Sequence, residues 1–165
     1  MIIYIGADHR GFSLKEELCE YLSSHGYDVQ DQGNDRYDKD DDFIDFAVKV
    51  VEKVQKHGNS ARGIVICGSG VGMDIVANKF AGIRSTLSFS PDHARVSRND
   101  DDTNILSLPA DFIDKETAKK IVDMWLEQPF SQEDKYVRRI NKIKELEREQ
   151  HSLGGKTHYE SSSGN

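Results

Sequence analysis

The chain of 165 residues is poor in cysteine, proline and tryptophan, with two, three and one, and its 22 lysines and arginines fall short of its 29 aspartates and glutamates. Two cysteines in unrelated contexts, Cys19 and Cys67, exclude a disulfide-stapled scaffold and suit free thiols in a reducing compartment. The net charge of −7 argues against a general nucleic-acid-binding surface. No apolar run approaches the ~18 residues of a spanning helix, so no membrane partner is expected. The chain opens directly on an apolar strand without a basic leader, so the expected location is cytoplasmic. Metal motifs are also missing: there is no Cys-x-x-Cys and no His-Glu-x-x-His. Asp38, Asp40 and Asp42 mimic the first ligands of a calcium loop, but Phe43 stands where glycine is needed and Lys49 where glutamate is needed. With 36% hydrophobic residues the chain suits one compact domain that buries about two-thirds of its surface.

Short β-branched runs alternate with helical periods. Strands are expected at 2–6, 27–31, 63–67, 83–88 and 104–108, the third being continuously apolar, as for a parallel strand covered on both faces. Between them fall a helix opened by a capping pattern at Ser13 with Leu14, Leu18, Tyr21 and Leu22 on one face, and a helix marked by Phe43, Ala47, Val50, Val51 and Val54. Further helices are expected from the glycine loop to about Phe80, from Pro91, and at 115–127. This alternation implies an α/β fold, with a parallel five-stranded sheet and helices on both sides. Residues 31–45 carry seven aspartates and read as an exposed acidic loop. A basic terminal helix at 135–148 is apolar at Val137, Ile140, Ile143 and Leu146. Residues 150–165 are polar and Gly/Ser-rich, so the domain is expected to span 1–149 with a flexible tail beyond it.

Open parallel sheets bind ligands outside the carboxyl ends of their strands. There the sequence offers Asp8-His9-Arg10-Gly11, then Cys67-Gly68-Ser69-Gly70-Val71-Gly72, then residues 88–93. Cys67 ends a buried strand ahead of a glycine loop and a helix, where amides and the helix dipole can lower a thiol pKa. It reads either as a nucleophile or general base, or as a small packing residue. The loop can expose amides to an anion or an enolate oxygen, or simply turn the chain. It lacks the spacing and following acid of a dinucleotide fingerprint. Asp8 and His9 suit hydroxyl binding and proton or anion handling. Cys19 reads as packing, and His25 and His57, each before a glycine, as helix-end residues.

Taken in order, Asp8-His9-Arg10-Gly11, Cys67-Gly68-Ser69-Gly70-Val71-Gly72, Ala77-Asn78-Lys79-Phe80-Ala81-Gly82-Ile83-Arg84, Ser97-Arg98 and Asp102-Thr103-Asn104 resemble the family of ribose-5-phosphate isomerase B and galactose-6-phosphate isomerase, over roughly residues 1–148. The resemblance implies a three-layer Rossmann-like fold with a C-terminal helix. It also implies a homodimer or tetramer with shared active sites, and aldose–ketose isomerisation of a small phosphorylated sugar without metal or organic cofactor. Cys67 would be the base that moves a proton between C1 and C2 through a cis-enediol. Ser69 and the loop Gly68, Gly70, Val71 and Gly72 would hold the reacting oxygens, Asp8 a hydroxyl and His9 the phosphate. Lys135 and Arg139, or in another register Arg138, would clasp the phosphate.

Departures from the pattern bear on ring opening and phosphate binding. Asp100 stands where the resemblance implies a ring-opening histidine, and Asp101 where it implies a substrate-binding asparagine. Asp111 replaces a phosphate-binding arginine, and Ile44 a proline after an aromatic residue. Asp100 can serve as acid/base if Asp101 and Asp102 raise its pKa; His93 is the second candidate. The first expectation is therefore an isomerase of a pentose phosphate. A non-catalytic sugar-phosphate-binding subunit and an isomerase of an open-chain tetrose phosphate stay open, and a flavodoxin-like nucleotide module rests on the glycine loop alone.

Overall fold

The computed structural model describes residues 1–154. The chain forms two units, Met1–Ser131 and the segment from Gln132 onward. In the first, strands and helices alternate as β1 (Ile2–Ala7), α1 (Phe12–Ser24), β2 (Asp28–Asp31), α2 (Phe43–His57), β3 (Ala61–Cys67), α3 (Val71–Ala77), β4 (Ser85–Leu87), α4 (Pro91–Asp101), β5 (Ile105–Pro109) and α5 (Lys115–Glu127). Every pairing is parallel, in the order β2-β1-β3-β5-β4. This is the α/β sheet that the alternation of elements predicts.

Side chains of period two go to opposite faces of this sheet. Ile3, Ile5, Ile64, Ile66, Leu106 and Leu108 pack against Leu14, Leu18 and Leu22 of α1 and Ala118, Ile121, Val122 and Trp125 of α5. Tyr4, Val65, Cys67 and Ile105 meet Phe46, Val50, Val51 and Val54 of α2 and Met73 and Ala77 of α3. The continuous apolar run of β3 thus feeds two cores. Trp125 is fully buried and its indole N–H donates to Thr103 Oγ1 at 2.9 Å; truncating such a residue to alanine costs about 3–5 kcal/mol.

Side-chain caps start three of the helices. Asp42 accepts the Ile44 N–H, Ser90 the His93 N–H and Asp114 the Thr117 N–H, at 3.2, 3.3 and 2.7 Å. Helix α1 departs from expectation. Its N-cap is Gly11, without a side-chain bond, and Ser13 lies inside the first turn. The chain turns so tightly out of β1 that a Cβ on Gly11 would come within 2.5 Å of the Ile66 carbonyl oxygen, so the helix begins earlier than Ser13 can cap it.

Three other boundaries move. Helix α3 stops at Ala77 rather than near Phe80, because Asn78 turns its amide to β4: Oδ1 accepts the Ser85 N–H at 2.9 Å and Nδ2 donates to the Ser85 carbonyl at 3.1 Å. Strand β4 is correspondingly short. The resemblance puts the ring-opening position in a loop before the fifth strand, whereas Asp100 and Asp101 belong to the last turn of α4. That helix ends on Asp102 with φ +46°, a left-handed conformation held by ion pairs to Arg84 and Arg98 at 2.9 and 2.7 Å.

The second unit contains α6 (Asp134–Gly154), which continues past the expected boundary at 149. The remainder of the expected tail, 155–165, lies outside the described residues. Ile143 and Leu146 are exposed on it. Among the described residues no helix is long and apolar enough to cross a membrane.

Candidate active site

The carboxyl ends of β1 and β3 are neighbours, with Ala7 paired to Ile66 and the Asp8 N–H donating to the Ile66 carbonyl at 3.2 Å. This brings the two motifs of highest chemical content to one edge. Cys67 is 5% exposed and packs in the same buried cluster as residues of α2 and α3. The chain then leaves the sheet through Gly68, Ser69 and Gly70. Gly70 has φ +74° and lies so close to Leu87 that no side chain fits. Ser69 Oγ accepts the Val71 N–H at 3.3 Å. The amides of Ser69, Gly70 and Gly72 have no acceptor among the described residues. Gly72 abuts the Phe43 ring, which a Cβ would approach to 2.8 Å. Phe43 therefore walls the loop.

Asp8 is buried, and its Oδ1 accepts the amides of Arg10 and Gly11, each at 3.0 Å. Burial pushes its carboxyl above the usual carboxylate range, against the lowering effect of those amides. Oδ2 is left for a ligand. His9 is oriented by a residue that sequence reasoning missed. Asp41 Oδ1 receives both the His9 N–H at 3.0 Å and the imidazole Nδ1 at 2.8 Å, and Asn34 donates to Asp41 Oδ2 at 3.2 Å. The Asp41 side chain is only 7% exposed, which corrects the reading of 31–45 as uniformly solvated acid. Tyr37 packs edge-on to the imidazole at 6.3 Å. Nε2 of His9 has no partner among the described residues and is available to a ligand.

Asp111, at the position where the resemblance implies an arginine, forms an ion pair with Arg10. Its N–H donates to the Gly68 carbonyl at 2.9 Å, fixing the carboxylate beside the loop. A Cβ on Gly68 would meet Arg10 Nε at 2.5 Å and Asp111 Oδ2 at 2.6 Å, so glycine is what admits the pair.

His93 lies in the first turn of α4, at the same edge as Cys67, with Nδ1 3.3 Å from Ser88 Oγ. Asp100 and Asp101 do not join the group within one chain. They precede β5 at the end where Ile105 pairs with Gly63, whereas Cys67 pairs with Pro109 at the other end, ~13 Å away along the strand. Lys135, Arg138 and Arg139 belong to α6 of the second unit, where the Tyr136 ring carries Lys135 at 4.5 Å and Arg139 at 5.6 Å.

The remaining candidates have structural partners. Cys19 packs beside the α1/α5 core, where burial pushes its thiol to about 12. His25 Nδ1 lies 2.8 Å from the Tyr21 carbonyl, and His57 Nδ1 3.0 Å from that of Lys53. Asp42, one of the three calcium-like aspartates, caps α2. Among the described residues no group of three or more His, Cys, Asp or Glu is arranged to hold a metal ion.

Residues 3–143 match the ribose/galactose isomerase family. The chain is 38% identical over 147 residues to a probable ribose-5-phosphate isomerase B of Mycoplasma genitalium, covering 89% of this chain and 96% of that one. It is 42% identical over 124 residues to ribose-5-phosphate isomerase B of Escherichia coli, covering 75% and 82%. The crystal structure of the Mycoplasma genitalium isomerase with bound ribulose-5-phosphate superposes with a TM-score of 0.87, over 90% of this chain and 97% of that one, at 38% identity.

Proposed function

This chain belongs to the ribose/galactose isomerase family and is an aldose–ketose isomerase of phosphorylated sugars; from that membership we propose that it interconverts ribose 5-phosphate and ribulose 5-phosphate with Cys67 as the base. The supporting observation is the turn after β3, where a thiol is followed by three amides without acceptors, next to the buried carboxylate of Asp8. In the open-chain aldose, the thiolate of Cys67 removes the proton from C2 and the electron pair forms the C1–C2 double bond. The C1 oxygen takes a proton, giving a cis-enediol. Returning the carried proton to C1, with loss of the C2 hydroxyl proton, yields the ketose. Amides of Gly70 and Gly72 and the Ser69 hydroxyl stabilise the enediolate oxygens, while Asp8 accepts a substrate hydroxyl and His9 Nε2 meets the phosphate.

The ring-opening proton has two candidate carriers. His93 occupies the same sheet edge as Cys67. Asp100, at the opposite edge, reaches a Cys67 only in a second copy of the chain, accompanied by Asp101. Lys135, with Arg138 or Arg139, likewise suits a site shared between copies. A homodimer or a tetramer is supported by apolar residues exposed at or near the cleft edge, namely Val71, Ile75, Phe89 and Phe112. Two free thiols support a cytoplasmic setting.

Proton-exchange NMR in deuterated water over four-, five- and six-carbon aldose phosphates tests this reading. Deuterium entering the pentose phosphates, and its loss in Cys67→Ala, is the expected result. Undiminished turnover by Cys67→Ala removes the thiol base, and exchange confined to a tetrose phosphate replaces the pentose substrate.

A further inference from the structure

An isomerase of sugar phosphates must hold a dianion at a cleft edge that already carries the carboxylates of Asp8, Asp41 and Asp111. A cation in contact with the glycine loop is Arg10. Its guanidinium lies directly over Gly68, adjacent in sequence to Cys67, and follows His9 in the chain. One terminal nitrogen is engaged by Asp111, while Nε and the other terminal nitrogen have no partner among the described residues. The Arg10 side chain is 58% exposed, so the guanidinium is open to solvent on the side away from Gly68.

We propose that Arg10, pinned by Asp111 above Gly68, binds the phosphate of the substrate through its remaining guanidinium N–H groups, and that Asp111 is its positioning residue. The proposal rests on the isomerase reading and assigns a specificity role to a residue that reading does not use. A planar guanidinium presents its donors as a fork matched to phosphate oxygens. Anchoring one nitrogen on a carboxylate reduces the rotamer freedom lost when the other edge takes up the ligand. Asp111 is itself held by its N–H bond to the Gly68 carbonyl, so the guanidinium is referenced to the loop that carries the reacting oxygens. The two ends of the substrate are thereby placed relative to one another. A hydroxyl-terminated sugar gains nothing from this contact.

Steady-state kinetics of the full chain on ribose 5-phosphate, with calorimetry of inorganic phosphate binding, test the inference. Arg10→Gln is expected to raise KM about 10–100-fold with kcat changed less than ~3-fold, the signature of lost uniform binding. Phosphate affinity should fall in parallel while the thermal midpoint holds. Arg10→Lys should recover part of the loss. Asp111→Asn should also raise KM; a fall in KM would show that Asp111 competes with the phosphate and would overturn its positioning role. Unchanged KM and unchanged phosphate binding in Arg10→Gln overturn the inference while leaving the isomerase intact. If the wild-type chain turns over no sugar phosphate, the isomerase reading fails by itself, and the calorimetry still decides whether Arg10 binds phosphate.

Discussion

The carboxylate of Asp41 holds His9 twice through one oxygen, taking the imidazole Nδ1 at 2.8 Å and the backbone N–H at 3.0 Å. The two residues are 32 apart in the chain, and the contact fixes Nδ1 as the protonated nitrogen, so that Nε2 faces the ligand. Asp41→Ala is expected to raise KM for the sugar phosphate about tenfold, ~1.4 kcal/mol of binding. Asp41→Asn keeps an acceptor in place and should cost less. Equal KM values for wild type and Asp41→Ala, measured at one pH and ionic strength, would show that His9 needs no orienting partner.

Asp8 illustrates stability given up for function. Its folded pKa lies above the unfolded value of 3.8, because burial outweighs the amide bonds. The folded state therefore binds more protons than the unfolded state between those two values, and stability falls as pH rises through that window. The penalty is complete once pH has passed the folded value. Asp8→Asn retains acceptors for the Arg10 and Gly11 amides without the charge. It should melt higher than wild type at neutral pH, with the gap closing toward pH 3.8, while turnover falls about 10²-fold or more. Melting curves across pH check the first part, and a variant that melts lower at neutral pH refutes it.

Lys15 has no exposed side-chain surface, and its ammonium meets Asp31 and Glu16. Burial alone would depress its pKa, but the two carboxylate bonds outweigh it and hold the value above 10.5. The stability these bonds supply is complete below the unfolded value of 10.5 and disappears as pH climbs through the folded one. Asp31→Asn should cost about 1–3 kcal/mol in urea unfolding, below the ~3–5 of a fully buried pair because solvent reaches Asp31. Lys15→Met, which replaces the stem and removes the charge, should cost less than Asp31→Asn. The reverse order would mean that the ion pair is not what fixes α1 to β2.

Phe112, 69% exposed, stands edge-on to Phe89 at 6.4 Å beside the carboxyl ends of β4 and β5. If copies of the chain meet through this pair, Phe112→Asp should weaken self-association by at least about tenfold in sedimentation, since a charge would then be buried in an apolar contact. If a second copy completes the site, turnover per chain should fall as the variant dissociates. A monomeric variant with full turnover would count against shared sites.

The alternation of short apolar runs with helical periods was enough to predict the parallel sheet, because strands covered on both faces cannot alternate in polarity; Ile64, Val65 and Ile66 show this directly. The order of Asp8-His9 and Cys67–Gly72 after their strands was equally legible, since a strand's carboxyl end is a local property of the chain. Nothing local marked Asp41 as the partner of His9, because an aspartate in an acidic run reads as solvated charge, and nothing in the turn that holds Arg10 points to Asp111 a hundred residues on. Their pairing follows from loops that close over neighbouring strands. The same tertiary geometry sets Asp100 at the far end of β5 from Cys67. Residue identity and local period determined the elements and the chemical inventory; only the packing of parallel strands side by side decided which of those groups meet, because it sends every strand end to one edge and every helix end to the other.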